Sequence, residues 1–351
     1  MTKKLTSILI AIVSYFEMLS AANYAFLISA GNTDNDYTLY NSEYWYDLYL
    51  AYEQFLSVEQ YDSTNVFVFY GFGDDYNSCN SRYRKELHHW GQITDYNNSY
   101  NTLDSVLTSL NPYITEDDNL CFYWIVGHGL KESSSDDSYR VYIENYNEFV
   151  DKEHLYSLIN RITHYNKRKI FWMTCYSGSI GGGSYNLKND KTSIVTSSSS
   201  NELSFSFTDS NDDVHSAFNY AIFSLSTGNF ANGITCEISQ VCYGMTNIDS
   251  LFSINELYTG INNYSYLVVN TTQCPLNPCL FDIGGISDNI YIGKKKELRN
   301  VTININRAYW IDDMEIKNVQ LDNSITTIDV DNQCLVKKST FVPIGSSILI
   351  K

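Results

Sequence analysis

Basic residues are scarce. Lys and Arg number 23 against 40 Asp and Glu, which leaves a formal charge of −17. Phosphate backbones and anionic headgroups repel so acidic a surface, so neither nucleic acid nor an anionic membrane is an expected partner. Past residue 16 no apolar run approaches the roughly 18 residues that suggest a span, so none is expected in the mature chain. Paired C-x2-4-C clusters and matching histidines are missing, so no zinc site and no cofactor is expected. The Asp-rich piece at 209–213 lacks the sixth-position Gly of a calcium loop. No internal repeat or low-complexity linker is visible.

What remains describes a globular chain. Hydrophobic residues make up 44% and charged residues 18%, which excludes a mainly disordered polymer. A length of 351 residues fits two domains, or one large α/β domain with an appendage. Lys3 and Lys4 precede the apolar stretch Leu5–Phe16, and small residues follow at Ser20, Ala21 and Ala22. That order predicts a secretory signal peptide over 1–22. The expected location is the secretory pathway, ending outside the cell or in a lysosome- or vacuole-like compartment.

An oxidising route makes the eight cysteines informative. Cys121 sits in an apolar run and reads as a buried thiol. Cys236 with Cys242, and Cys274 with Cys279, are close enough to form local staples. Four Asn-x-Ser/Thr sequons, at Asn97, Asn263, Asn270 and Asn300, suit a secreted protein.

Five short apolar runs, 24–29, 66–70, 121–126, 170–173 and 193–196, lack period-2 polarity. Such runs suit strands buried on both faces. Helical spacing separates them at Trp45, Leu48, Tyr52 and Phe55, and at Leu155, Leu158 and Ile162. It recurs at Val214, Phe218, Ile222 and Leu225 after the fifth run. Ser253 and Glu256 have capping-box spacing. The alternation predicts an α/β fold, a mostly parallel sheet with helices on both faces. Its site belongs at the carboxyl ends of the strands. From about residue 265, short β-rich runs between turns predict a small antiparallel C-terminal module. The expected division is 23–264 for the α/β domain and 265–351 for the module.

Two strand ends carry reactive side chains. The third run leads into Gly127-His128-Gly129, and the fourth into Thr174-Cys175-Tyr176-Ser177-Gly178-Ser179. A histidine can take a proton from a thiol, and the thiolate can attack a carbonyl. The N–H groups of Gly129 and Cys175 are candidate oxyanion donors; losing one such donor costs about 10²–10³ in rate. The histidine precedes the cysteine by 47 residues. Caspases share roughly that order and separation.

The region from Tyr24 to Tyr258 resembles the legumain family of cysteine peptidases. The resemblance rests on Ile28-Ser29-Ala30-Gly31-Asn32, Gly73-Asp74-Asp75, His128-Gly129, Cys175-Tyr176-Ser177-Gly178-Ser179 and the stretch Thr196–Ser204, which fall in family order. It implies a caspase-like fold, His128 as general base and acid, Cys175 as nucleophile, and Asn32 beside the histidine. Peptides or proteins are the implied substrates, cut through a thioester, with transpeptidation a possible second outcome. Legumains that read asparagine place an Arg after the first strand and a Glu after the nucleophile; here Asn41 and Tyr176 hold those places. The helical pro-region of animal and plant legumains is replaced by the β-rich module.

Two other readings stand beside this one. A serine hydrolase or esterase of the α/β-hydrolase type would use the near-match Ser177-Gly178-Ser179-Ile180-Gly181 with His215. A secreted binding or adhesion protein would leave the dyad inert. The glycine-rich loop from Gly181 to Asp190 has a composition that predicts mobility.

Overall fold

A computed structural model describes residues 21–31, 39–57, 61–76, 83–84, 90–208, 213–220, 222 and 278–284, together with the separate strands named below after residue 250. The expected leader lies outside the described residues apart from Ala21 and Ala22. Ala22 N–H donates to Asp118 Oδ1 at 2.7 Å, at the entrance to the first strand. Asn32, residues 254–256 of the expected helix start and the side chain of Asn41 also lie outside, while Ser253 ends a strand named below.

Five parallel strands form the centre of the molecule: β1 (Asn23–Ser29), β2 (Val66–Tyr70), β3 (Asn119–Val126), β7 (Lys167–Trp172) and β8 (Thr192–Thr196). Each of the five apolar runs is one of these strands. Their spatial order is β8-β7-β3-β1-β2, with all four pairings parallel. Alternate residues of β1 enter opposite cores. Ala25 and Leu27 join one cluster, Phe26 and Ile28 the other. Both faces are covered, so the strands need no polar face and the sequence shows none.

Helix α1 (Leu39–Ser57) packs on the first face through Trp45, Leu48, Tyr52 and Phe55. Helices α2 (Tyr100–Leu110) and α3 (Lys152–Ile159) cover the second through Leu103, Leu107, Leu155 and Leu158. Helix α2 has no counterpart among the expected helices, although Ser99 caps it by accepting from Thr102 N–H and Leu103 and Leu107 lie four apart. The helix expected from Val214 starts later: Val214–Ser216 is strand β10, paired antiparallel with β9 (Ser206–Thr208), and 217–220 are helical.

A second, three-stranded antiparallel sheet was also not anticipated. It contains β4 (His128–Lys131), β5 (Tyr139–Ile143) and β6 (Glu148–Asp151). The chain leaves β3 and enters β4 with only Gly127 between them.

Past residue 250, antiparallel pairing holds for β11 (Leu251–Ser253) with β15 (Tyr291–Lys294) and for β12 (Tyr266–Val269) with β13 (Thr272–Pro275). Strand β14 (Cys279–Phe281) does something different. It pairs antiparallel with β8 and becomes the edge of the central sheet, so the sheet crosses the boundary expected at residue 264. Cys279 is a thiol there, not half of a staple, and Thr196 bonds to it.

The remaining pairings correct the expected antiparallel module. β16 (Thr302–Ile303) pairs with β19 (Gln320–Leu321), β17 (Tyr309–Trp310) with β20 (Thr326–Asp329), β18 (Met314–Ile316) with β21 (Cys334–Val336), and β20 with β22 (Ile348–Ile350). All four pairs are parallel. Paired residues such as Thr302 and Gln320, or Thr326 and Ile348, lie 18 to 22 positions apart. Composition marks these stretches as strands. Pairing direction depends on where each connection returns the chain, which composition does not encode.

Candidate active site

Strands β1, β3 and β7 end at the same edge of the sheet. The order β3-β1-β2 means that the chain steps from β1 to one side and then to the other, leaving a crevice at the carboxyl ends. His128 follows β3 and Cys175 follows β7, so topology brings to one rim two residues 47 positions apart.

Contact between the two segments is direct. A side chain at Gly129 would collide with Cys175 O and approach Thr174 Oγ1 within 2.8 Å. Only glycine lets β4 lie this close to the nucleophile's backbone. Trp172 Nε1 donates to Tyr139 OH at 2.9 Å, Tyr139 OH meets Thr174 Oγ1 at 2.6 Å, and Thr174 Oγ1 donates to Cys175 O at 3.0 Å. These bonds tie β5 and β7 to the cysteine.

The serine-rich stretch after β8 has a local task. Ser197, Ser198 and Ser204 hydroxyls all donate to Thr174 O, at 3.1, 3.2 and 2.7 Å. They fix the carbonyl just before Cys175. Tyr176 has a left-handed backbone (φ 58°), and its N–H donates to Glu202 O at 2.7 Å. The turn lifts Cys175 clear of the strand, half-buried. Burial raises the thiol pKa, while the Ser204 backbone and the cysteine's own amide oppose that rise. The thiol is therefore protonated at rest and needs a base. Among the described residues, no other group accepts from Cys175 N–H.

His128 is exposed and pairs through Nε2 with Glu144 Oε1 at 3.3 Å. Register explains the meeting. His128 lies opposite Tyr142 in the β4–β5 ladder, and Glu144 stands two residues beyond. Glu144 is held on both sides: Tyr44 OH donates to its Oε1 at 2.7 Å, and its N–H donates to Ala30 O at 3.1 Å. The Glu144 hydrogen bond raises the His128 pKa, and burial opposes it. The same bond, with Tyr44's, holds the Glu144 carboxyl below its usual range against the opposing effect of burial. Among the described residues no hydrogen bond joins the imidazole to the thiol. Sγ faces Ser204 O at 3.9 Å, and Nδ1 is the nitrogen not engaged by Glu144.

Glu43, on α1, is a second carboxyl group here. It is buried, accepts from Ser206 Oγ at 2.5 Å, and when ionised raises the pKa of the Cys175 thiol. Neither Glu43 nor Glu144 stood out in the sequence. Glu43 lies far along the chain from Cys175, Glu144 stands 16 residues past His128, and neither carries a motif.

The serine alternative finds no geometry. Ser177 and Ser179 are fully buried; Ser177 Oγ meets Ser197 and Ser198 Oγ at 3.1 Å, and Ser179 Oγ donates to Asp136 at 3.3 Å. His215 is also fully buried, with Nδ1 at 2.7 Å from Asp47 Oδ1. Asp47 further accepts from Ser216 N–H and Asn219 Nδ2, which fastens α1 to β10. Gly73 and Asp75 shape a loop: Asp75 accepts from Ile93 and Thr94 N–H.

The loop from Gly181 to Asp190 is tethered, contrary to its composition. Asp137 accepts from Ser184 N–H at 2.8 Å, Lys152 Nζ donates to Gly182 O at 2.6 Å, and Leu187 N–H donates to Ile180 O at 3.1 Å. Among the described residues no group of three or more His, Cys, Asp or Glu is placed to hold a metal ion.

No family model matches the chain, and no curated protein matches it by sequence. One solved structure it is similar to is caspase-1 from Spodoptera frugiperda, at TM-score 0.43 and 11% identity over 79% of this chain and 92% of that chain.

Proposed function

We propose that this chain is a cysteine endopeptidase of the legumain type, acting in the secretory pathway on peptide or protein substrates. The observation that carries the reading is the seating of Gly129 against Cys175, which brings the His128 and Cys175 strand ends to one rim. The ordered legumain-like motifs support it independently. In this reading residues 23–264 hold the catalytic machinery, and the module that begins at 265 contributes β14 to its sheet.

The chemistry is acyl transfer. Glu144 holds the imidazole by Nε2 and makes it a stronger base. In this reading Nδ1 reaches the thiol in the substrate complex, because catalytic hydrogen bonds often close only when substrate is bound. The proton passes from Sγ to His128. The thiolate attacks the peptide carbonyl, and its oxygen takes up the developing charge beside the N–H groups of Gly129 and Cys175. Protonated His128 returns the proton to the leaving amine as the C–N bond breaks. Water then attacks the thioester, and His128 takes one of its protons. An amine in place of water gives ligation.

The test is a positional-scanning peptide library with the purified mature chain. Cleavage is expected, with loss of at least 10³-fold in Cys175→Ala and His128→Ala, a size set by typical costs of removing a covalent catalyst. Cleavage that persists in Cys175→Ala would refute the assignment.

A further inference from the structure

We propose that Glu43 determines specificity at this site by taking the lysine or arginine side chain of a substrate residue beside Cys175. The proposal rests on the peptidase reading above and adds the substrate class.

Position comes first. Cys175 Sγ faces Ser204 O, and Ser206 Oγ donates to Glu43. Ser204 and Ser206 are two residues apart, so thiol and carboxyl contact the same short segment.

Commitment comes second. Glu43 is 7% exposed, yet among the described residues only Ser206 hydrogen-bonds it, and only through Oε1. Its acidic neighbours are already engaged. Asp47 binds His215, Ser216 and Asn219, while Glu144 binds His128 and Tyr44. Among the described residues, the Lys and Arg ion pairs lie elsewhere, at Lys131–Asp136, Arg140–Glu132, Lys152–Asp137 and Arg161–Asp104.

Energetics come third. A buried carboxyl without a cation is costly to ionise. Burial and the nearby Asp47 push Glu43 up to about 8, and Glu144 adds to this. An ammonium or guanidinium guest removes that penalty and gains a charge-assisted hydrogen bond. A carboxylate guest adds repulsion. The overall charge of −17 also steers cationic peptides toward the molecule.

The experiment uses the full mature chain and fluorogenic peptides that differ only before the cleaved bond: Arg, Lys, Asn, Asp or Ala. Arg and Lys should be cut at least tenfold better by kcat/KM than Asn or Ala, with Asp worst. Glu43→Gln should lower the Arg-to-Ala ratio tenfold or more, and Glu43→Arg should raise the Asp-to-Arg ratio. Should either variant fail to fold by thermal melt, the wild-type ranking decides. A second arm follows p-aminobenzamidine fluorescence. Binding by wild type, weakened tenfold or more in Glu43→Gln, supports the pocket even if no peptide is cut, an outcome that would sink only the peptidase reading. Cleavage that favours Asn, Asp or Ala overturns the pocket and leaves the peptidase standing. No cleavage together with no amidine binding overturns both.

Discussion

Glu144 does for His128 what no neighbour in the sequence could. Its hydrogen bond is the largest cause of the raised imidazole pKa. Removing the carboxylate therefore lowers that pKa, and the neutral base survives to lower pH. In Glu144→Gln the acid limb of kcat/KM should move down in pH, and an NMR titration of the His128 ring should show the same displacement without turnover. The pair's stability contribution has matching signs. His128 contributes fully below its unfolded value of about 6.5, and this is lost as pH rises through its raised value. Glu144 contributes above its unfolded value, and this is lost as pH falls through its lowered one. At Gly129 the constraint is steric. Gly129→Ala forces a methyl onto Cys175 O. Overpacking of this kind costs about 1–3 kcal/mol, and denaturant melts should register it alongside lost cleavage.

At the level of elements, the post-nucleophile loop illustrates how tethers override composition. Its glycines and polar residues resemble a free linker, but Asp137, at the turn before β5, holds Ser184 and sits 3.4 Å from the buried Lys152 amine. Asp137→Ala should release the loop. Limited proteolysis should then cut between Gly181 and Asp190 well before it cuts the wild-type chain there; equal rates would show that the tether does not protect. The strands were legible for the opposite reason. Burial on both faces leaves continuous apolar runs that few other elements produce. Sheet β4–β6 was less visible because the alternation of buried Tyr139, Val141 and Ile143 with partly exposed neighbours runs over only five residues.

For the whole molecule, the central sheet recruits its edge from beyond residue 264. Strand β14 covers β8, and Phe281 packs against Gly181 behind the nucleophile turn. A chain ending at 264 should melt well below one ending at 284, because it bares the β8 backbone and removes the Phe281 contact; exposed edges also invite aggregation. Equal melting temperatures would make β14 dispensable.

Sequence alone determined the parallel strands, the acidic surface, and the two glycine-flanked reactive residues with their order. These are local properties, set by the side chains of a few consecutive positions. Tertiary structure decided which carboxylates attend them, that the serine stretch cages Thr174 O, that the glycine-rich loop is pinned, and that β14 completes the sheet. Each of those depends on where distant segments return in space, and chain entropy leaves that open until packing selects one arrangement.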